Sequence, residues 1–173
     1  MASTTSDTPL ARFRKQNRPL RSEETRVPCT VNMDSIGSLV EGNHDNPFEV
    51  LGPHEVTLDG RKSLAVRAFL PHSEQAWLTN PAHQLNTSMR KIHPAGVYEA
   101  ICPLSQIPDR SYQIRATDGS GAMTTMHDPY AFPSFLSEFD IYLLGEGNHT
   151  HAYEKMGAQL RTVDGVKGVN FAV

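Results

Sequence analysis

From residue 48 to residue 127 short alternating stretches are separated at close intervals by turn residues, and this punctuation limits the chain to folds built from short antiparallel strands. The clearest stretch is SLAVRAFL, which puts Leu64, Val66, Ala68 and Leu70 on one strand face and Arg67 and Phe69 on the other, with Pro71 ending it. Further strands are expected at Gln75–Thr79, Met89–Ile92, Val97–Ile101, Ser111–Ala116 and Ala122–Met126. Asn80-Pro81, Pro94-Ala95-Gly96, Pro108-Asp109 and Asp118-Gly119 supply the turns between them. The fold class this predicts is mainly β: an immunoglobulin-like antiparallel β-sandwich with short helices at its N- and C-terminal flanks. Trp77 is assigned to its core, with a sugar-stacking platform as the alternative.

The flanks read differently. Met33, Ile36, Leu39 and Val40 recur at helical spacing, and Gly42 stops that helix. Ser137 caps a second helix holding Phe139, Tyr142 and Leu143, which Gly145 or Gly147 ends. A short third helix is expected from Asn148 to Met156. VDGVKGVNFAV then alternates, with Val169, Phe171 and Val173 on one face. An unfinished strand there would leave backbone groups unpaired, so the expectation is a piece of a longer protein. Residues 1–30 are rich in Ser, Thr, Pro and Arg, and six basic residues stand against three acidic ones. Such a segment buries too little apolar surface to offset its chain entropy and is expected to be disordered. The resulting division is a tail at 1–30, a sandwich domain at 31–146, and a connector with the beginning of a further module at 147–173.

Several function classes find no support in the residues. A net charge of −3 gives no basic field for nucleic acid, and no apolar run approaches the ~20 residues needed to span a bilayer. Two dispersed cysteines, Cys29 and Cys102, suit a reduced cytoplasm. No nucleophile elbow, phosphate loop, CxxC pair or His-Glu-x-x-His helix occurs. Asn43-His44-Asp45 stands in a turn context between Gly42 and Pro47 and is read as loop chemistry. Glu146, His149, His151 and Glu154 lie within nine positions, yet His149 and His151 are two apart across an expected helix start and would point to different sides. No catalytic residue, metal ligand or cofactor is therefore expected.

Five stretches together resemble one family. NHDNPFEVLGPHEV at 43–56, VRAFLP at 66–71 and IHPAGVYEAICP at 92–103 are similar to the opening of bacterial glycogen branching enzymes. DPYAFPSFLSEFDIYLLGEGNHTHAYEKMGAQ at 128–159 resembles that family's segment ahead of its catalytic part. VDGVKGVNFAV at 163–173 resembles the first strand of a family-48 carbohydrate-binding module. They keep the family's order and spacing over about residues 38 to 173. Where the family continues Leu-Gly-Ala-His-Pro, this chain has Met156-Gly157-Ala158-Gln159-Leu160, so a histidine contact is lost or taken over by the Gln159 amide.

The resemblance implies a parent enzyme that cleaves an α-1,4-glucan and rejoins it through an α-1,6 bond. Its catalytic carboxylates belong to an α-amylase-type barrel, so no position here inherits them. What it implies for this chain is an N-terminal accessory module, inert alone, with α-glucan and the remaining domains of the parent as partners. A freestanding glucan-binding module and a purely structural interdomain spacer are the alternatives. For glucan contact the candidate stacking aromatics are Trp77, Tyr98, Tyr112 and Tyr130.

Overall fold

The computed structural model describes residues 29–107 and 110–173. The disorder expected for 1–30 falls almost entirely outside them. In chain order the elements are α1 (Met33–Val40), β1 (Gly52–Leu58), β2 (Arg61–Phe69), β3 (Ser73–Asn80), β4 (Leu85–His93), β5 (Val97–Pro103), β6 (Gln113–Asp118), β7 (Met123–Met126), α2 (Glu138–Gly145), β8 (Gly157–Val163) and β9 (Val166–Ala172).

The first seven strands form one antiparallel ladder in the order β1-β2-β5-β4-β3-β6-β7. β4 divides its pairing: Leu85–Met89 lie opposite β3, and Arg90–His93 lie opposite β5. The ladder thus folds across β4 into two halves that face each other. Leu64, Val66 and Ala68 of β2, Tyr98, Ala100 and Cys102 of β5, Ala76 and Leu78 of β3, and Ile114 and Ala116 of β6 meet in the core between them. The chain is therefore a mainly β antiparallel sandwich, as its punctuation predicts. This strand order alone does not confirm the immunoglobulin-like subclass, and Cys29 and Cys102 are both free.

All seven expected strands are present, and β1 and β8 are two more that the sequence reading does not include. β1 joins β2 through Asp59-Gly60, and β8 joins β9 through Asp164-Gly165. In both turns the aspartate and the glycine have positive φ, 49° and 74° in the first and 49° and 79° in the second. That is the two-residue geometry whose twist matches a hairpin. The VDGVKGVNFAV strand is accordingly not alone: it pairs along its length with residues expected to be a connector. The helix expected over 148–156 is absent; only a 3₁₀ turn forms, at Ala152–Glu154.

A second core covers the outer side of the β1-β2-β5-β4 half. Asn32 caps α1 by accepting from the Asp34 amide, and Ile36 of that helix packs with Val50, Leu51 and Val97. Beneath this layer β2 and β5 carry a buried ion pair, Arg67 Nε to Glu99 Oε1 at 3.2 Å. The Arg67 guanidinium also donates to the Val50 carbonyl at 3.0 Å and to Thr30 Oγ1 at 2.7 Å, and Arg90 reaches the second Glu99 oxygen at 3.1 Å. Every polar atom of this group that the core would strand thus has a partner, as burial of charge requires.

Trp77 is not in the core. Its strand neighbours Ala76 and Leu78 point into the sandwich, so the period of two turns Trp77 to the outer side, where it stays partly exposed.

Candidate functional site

The outer face of the β4-β3-β6-β7 half has no helix over it, unlike its counterpart. Register aligns Thr125, Arg115, Trp77 and Ser88 in one row across the four strands. Gln113, Thr79 and Asn86 form the adjacent row, and Thr117 and Gln75 lie on the other side. The Arg115 guanidinium carbon stands 5.3 Å from the Trp77 ring centroid, within cation–π range. Its Nη2 donates to Asn86 Oδ1 at 2.8 Å, while its Nε is sealed from solvent without a hydrogen-bond partner. Gln113 Nε2 lies 3.3 Å from the His127 ring. No carboxylate belongs to these rows.

The other aromatic candidates are placed elsewhere. Tyr98 is 1% exposed, its ring in the main core and its hydroxyl donating to the Ser73 carbonyl at 2.5 Å. Tyr112 is likewise buried and donates to Asp128 Oδ2 at 2.7 Å. Burial, and then the Asp128 carboxylate, hold the Tyr112 hydroxyl far above its ordinary pKa, and burial also raises Asp128. Neither ring leaves a face for a sugar. Tyr130 is half-buried and meets Phe48 edge to face at 5.0 Å. Its backbone closes on Gly52, where a Cβ would come within 2.7 Å of the Tyr130 carbonyl oxygen, so only glycine fits. Of the four candidates, Trp77 is the one whose surroundings are an open polar face.

The ligand-type side chains near the C-terminus do not converge. His149 turns inward and its Nε2 lies 2.9 Å from Asp140 Oδ1, whereas His151 is exposed, 3.5 Å from Glu154. Asp140 also takes the Ser137 amide at 2.9 Å and Lys155 Nζ at 3.2 Å, closing a capping box at the start of α2. Ser137, with His149 next, holds the Asp140 carboxyl well below the usual range. This is a structural joint between α2 and the hairpin. The Gln159 amide donates to the carbonyls of Tyr153 and Met156, at 3.3 and 3.1 Å, and so closes the same joint locally.

A cleft of about 520 Å³ opens between residues 127–135 and the hairpin, walled by Phe132, Phe135, Val163, Val166 and Phe171, with Arg161 and Lys167 at its rim. It contains no Asp or Glu, so it offers neither the acid nor the nucleophile that glycoside chemistry needs. Among the described residues no three His, Cys, Asp or Glu side chains are grouped to hold a metal ion. Cys102 is buried and its thiol is pushed up to about 11, which removes it as a nucleophile. No helix among the described residues is long and apolar enough to cross a membrane.

The hairpin also bares Leu160 and Val169, which pair across the strands, and Phe171 two residues further on the same strand face; Val169 and Phe171 also line the cleft, and Leu160 is 88% and Phe171 74% exposed. A two-stranded ribbon with one bare apolar face is marginal by itself, and such a patch marks a contact surface.

A family model described as the N-terminal domain of the alpha-1,4-glucan branching enzyme GlgB matches residues 32–130. The chain is 43% identical over 143 residues to the 1,4-alpha-glucan branching enzyme GlgB of Rhodopirellula baltica, covering 83% of this chain and 19% of that protein. It is 40% identical over 145 residues to the enzyme of the same name from Thermosynechococcus vestitus, covering 83% and 18%. With the Synechococcus elongatus enzyme it shares 34% over 151 residues, 86% of this chain and 19% of that one. The chain spans about a fifth of the length of the curated relatives it matches.

Proposed function

The chain belongs to the family of alpha-1,4-glucan branching enzyme N-terminal domains, and from that premise we propose that it is the non-catalytic accessory module of a glycogen branching enzyme. The parent would transfer α-1,4-glucan segments into α-1,6 branches, with the chemistry in domains beyond this one. The observation that carries the reading is the cleft: the concavity beside the hairpin is lined by aromatic and basic side chains but by no carboxylate. A glycosyl transfer that proceeds through paired carboxyl groups has nothing to use there.

On this reading residues 31–146 are the folded module and 147–173 lead into a carbohydrate-binding module. The bare Leu160, Val169 and Phe171 face is where the remaining domains of the parent cover the hairpin. The protein works in the cytoplasm, where Cys29 and Cys102 stay reduced.

The test is a branching assay on amylose with the 173-residue chain alone, following iodine colour. The expected result is no loss of colour at any enzyme concentration. A progressive fall, with α-1,6 linkages in the product, would overturn the proposal.

A further inference from the structure

We infer that the uncovered outer face of β4-β3-β6-β7 binds a neutral α-glucan chain, with the Trp77 ring as stacking platform and Arg115, Asn86 and Gln113 as its hydrogen-bonding rim. The choice of α-glucan rests on the function proposed above; the location rests on the sheet.

One half of the sandwich buries its outer side under α1 and the segment around Val50, whereas the other half presents its outer side to solvent. On that open side stands the single tryptophan of the chain. An aromatic ring partly exposed in the middle of a sheet offers a flat apolar surface, which the C–H side of a pyranose matches. Four strands at about 4.8 Å spacing make the platform roughly 14 Å wide, enough for several contiguous sugar rings rather than one.

The polar groups around the ring fit an uncharged, hydroxyl-rich polymer. Gln75, Ser88, Asn86, Gln113, Thr117 and Thr125 are amides and hydroxyls that both donate and accept, as sugar hydroxyls do. One arginine within these rows is too little for a phosphodiester backbone, whose binding is driven by many cationic contacts. A protein partner would require a cluster of apolar anchors, and these rows hold only Trp77 and, opposite Thr117 at the sheet edge, Met123.

Arg115 is also prepared for the task. Its guanidinium is held beside the Trp77 ring by the 2.8 Å bond to Asn86, so planar donors are fixed where a neighbouring hydroxyl pair would lie. The Arg115 Nε–H lacks an acceptor, an unusual state for a sealed donor. A small turn of the guanidinium toward a bound hydroxyl would supply one.

Because Trp77 is the only tryptophan, its emission reports directly on this face. The experiment titrates the full chain with maltoheptaose and, in parallel, cellohexaose, and runs variants through native gels containing glycogen. The expected result is a saturable emission change with maltoheptaose, and retardation in glycogen gels. Trp77→Ala should abolish the retardation, Trp77→Phe should keep part of it, and Arg115→Lys should weaken it about tenfold. Tyr142→Ala, an exposed tyrosine on α2, should leave it unchanged, and circular dichroism verifies that each variant is folded. No emission change and no retardation of the folded chain would overturn the glucan face, while leaving the branching assay to judge the accessory role separately. Equal response to cellohexaose, or full retention of binding by folded Trp77→Ala, would equally overturn it.

Discussion

Replacing Arg67 with methionine probes what holds the two sides of the covered half together. Arg67 is 3% and Glu99 2% exposed, so their 3.2 Å contact is removed from water. Taking away the arginine leaves Glu99 charged in the interior and strands the Val50 carbonyl that Arg67 Nη1 reaches at 3.0 Å. Breaking a buried pair by deleting one partner costs about 3–5 kcal/mol. Glu99 retains Arg90 at 3.1 Å and Thr30, which favours the lower end, about 3 kcal/mol. With a urea m-value of about 1–3 kcal/mol/M, the midpoint should fall by roughly 1–3 M. Urea titrations followed by far-UV circular dichroism measure this. The decisive comparison is the double variant Arg67→Met with Glu99→Leu, which removes both charges and should recover at least half of the loss. A single-variant cost under about 1 kcal/mol would refute the reasoning, as would a double variant whose loss equals the sum of the two singles.

Four further outcomes are expected. Ser137 and His149 depress the Asp140 pKa, so its contribution is complete above the ordinary carboxylate value of ~3.9 and is lost as pH falls through the folded value; thermal melts from pH 5 to pH 2 should fall less steeply for Asp140→Asn than for the parent. Burial raises the Asp128 pKa, the opposite case: its contribution is complete below ~3.9 and is lost as pH rises through the folded value, so the stability of Asp128→Asn relative to the parent should improve from pH 4 to pH 7. Gly52→Ala forces a side chain onto a backbone at φ +86° with its Cβ 2.7 Å from the Tyr130 carbonyl oxygen, and should cost at least about 1–2 kcal/mol in urea unfolding. Leu160→Asp together with Phe171→Asp should change the unfolding free energy of the chain by no more than about 0.5 kcal/mol, since both side chains are mostly in solvent.

How much of this was legible in the residues depended on whether a segment had an inside. β2 through β7 and α1 each set apolar residues toward a core, and their periods stand out in the sequence. β1 and β8 do not. GPHEVTL is an edge strand with Pro53, His54 and Glu55 in its first half, and GAQLRTV leaves Leu160 and Arg161 in solvent. For both, the readable signal was the following Asp-Gly pair rather than any alternation. The residue type of Trp77 suggests burial, but Ala76 and Leu78 beside it take the inner face and the strand's alternation turns Trp77 outward. The joining of Arg115, Asn86 and Gln113 around Trp77 could not be foreseen from local pattern, since it follows from the registers of β3 with β4 and β6. Tyr98 and Tyr112 were plausible platforms by type only; their places in alternating strands gave them to the core.

The divided pairing of β4 has a consequence for how the chain reaches this shape. β3, β4 and β5 follow one another in sequence and pair as neighbours, so they can assemble early as a three-stranded meander with short loop closures. β2 must then find β5, and β6 must find β3, across intervals of some thirty residues each. Because the same strand anchors both flaps, neither can add correctly until β4 has its register with the other two. A slip there would carry both sides out of alignment, so the amides of Leu85–His93 should exchange with solvent only when the entire sandwich opens.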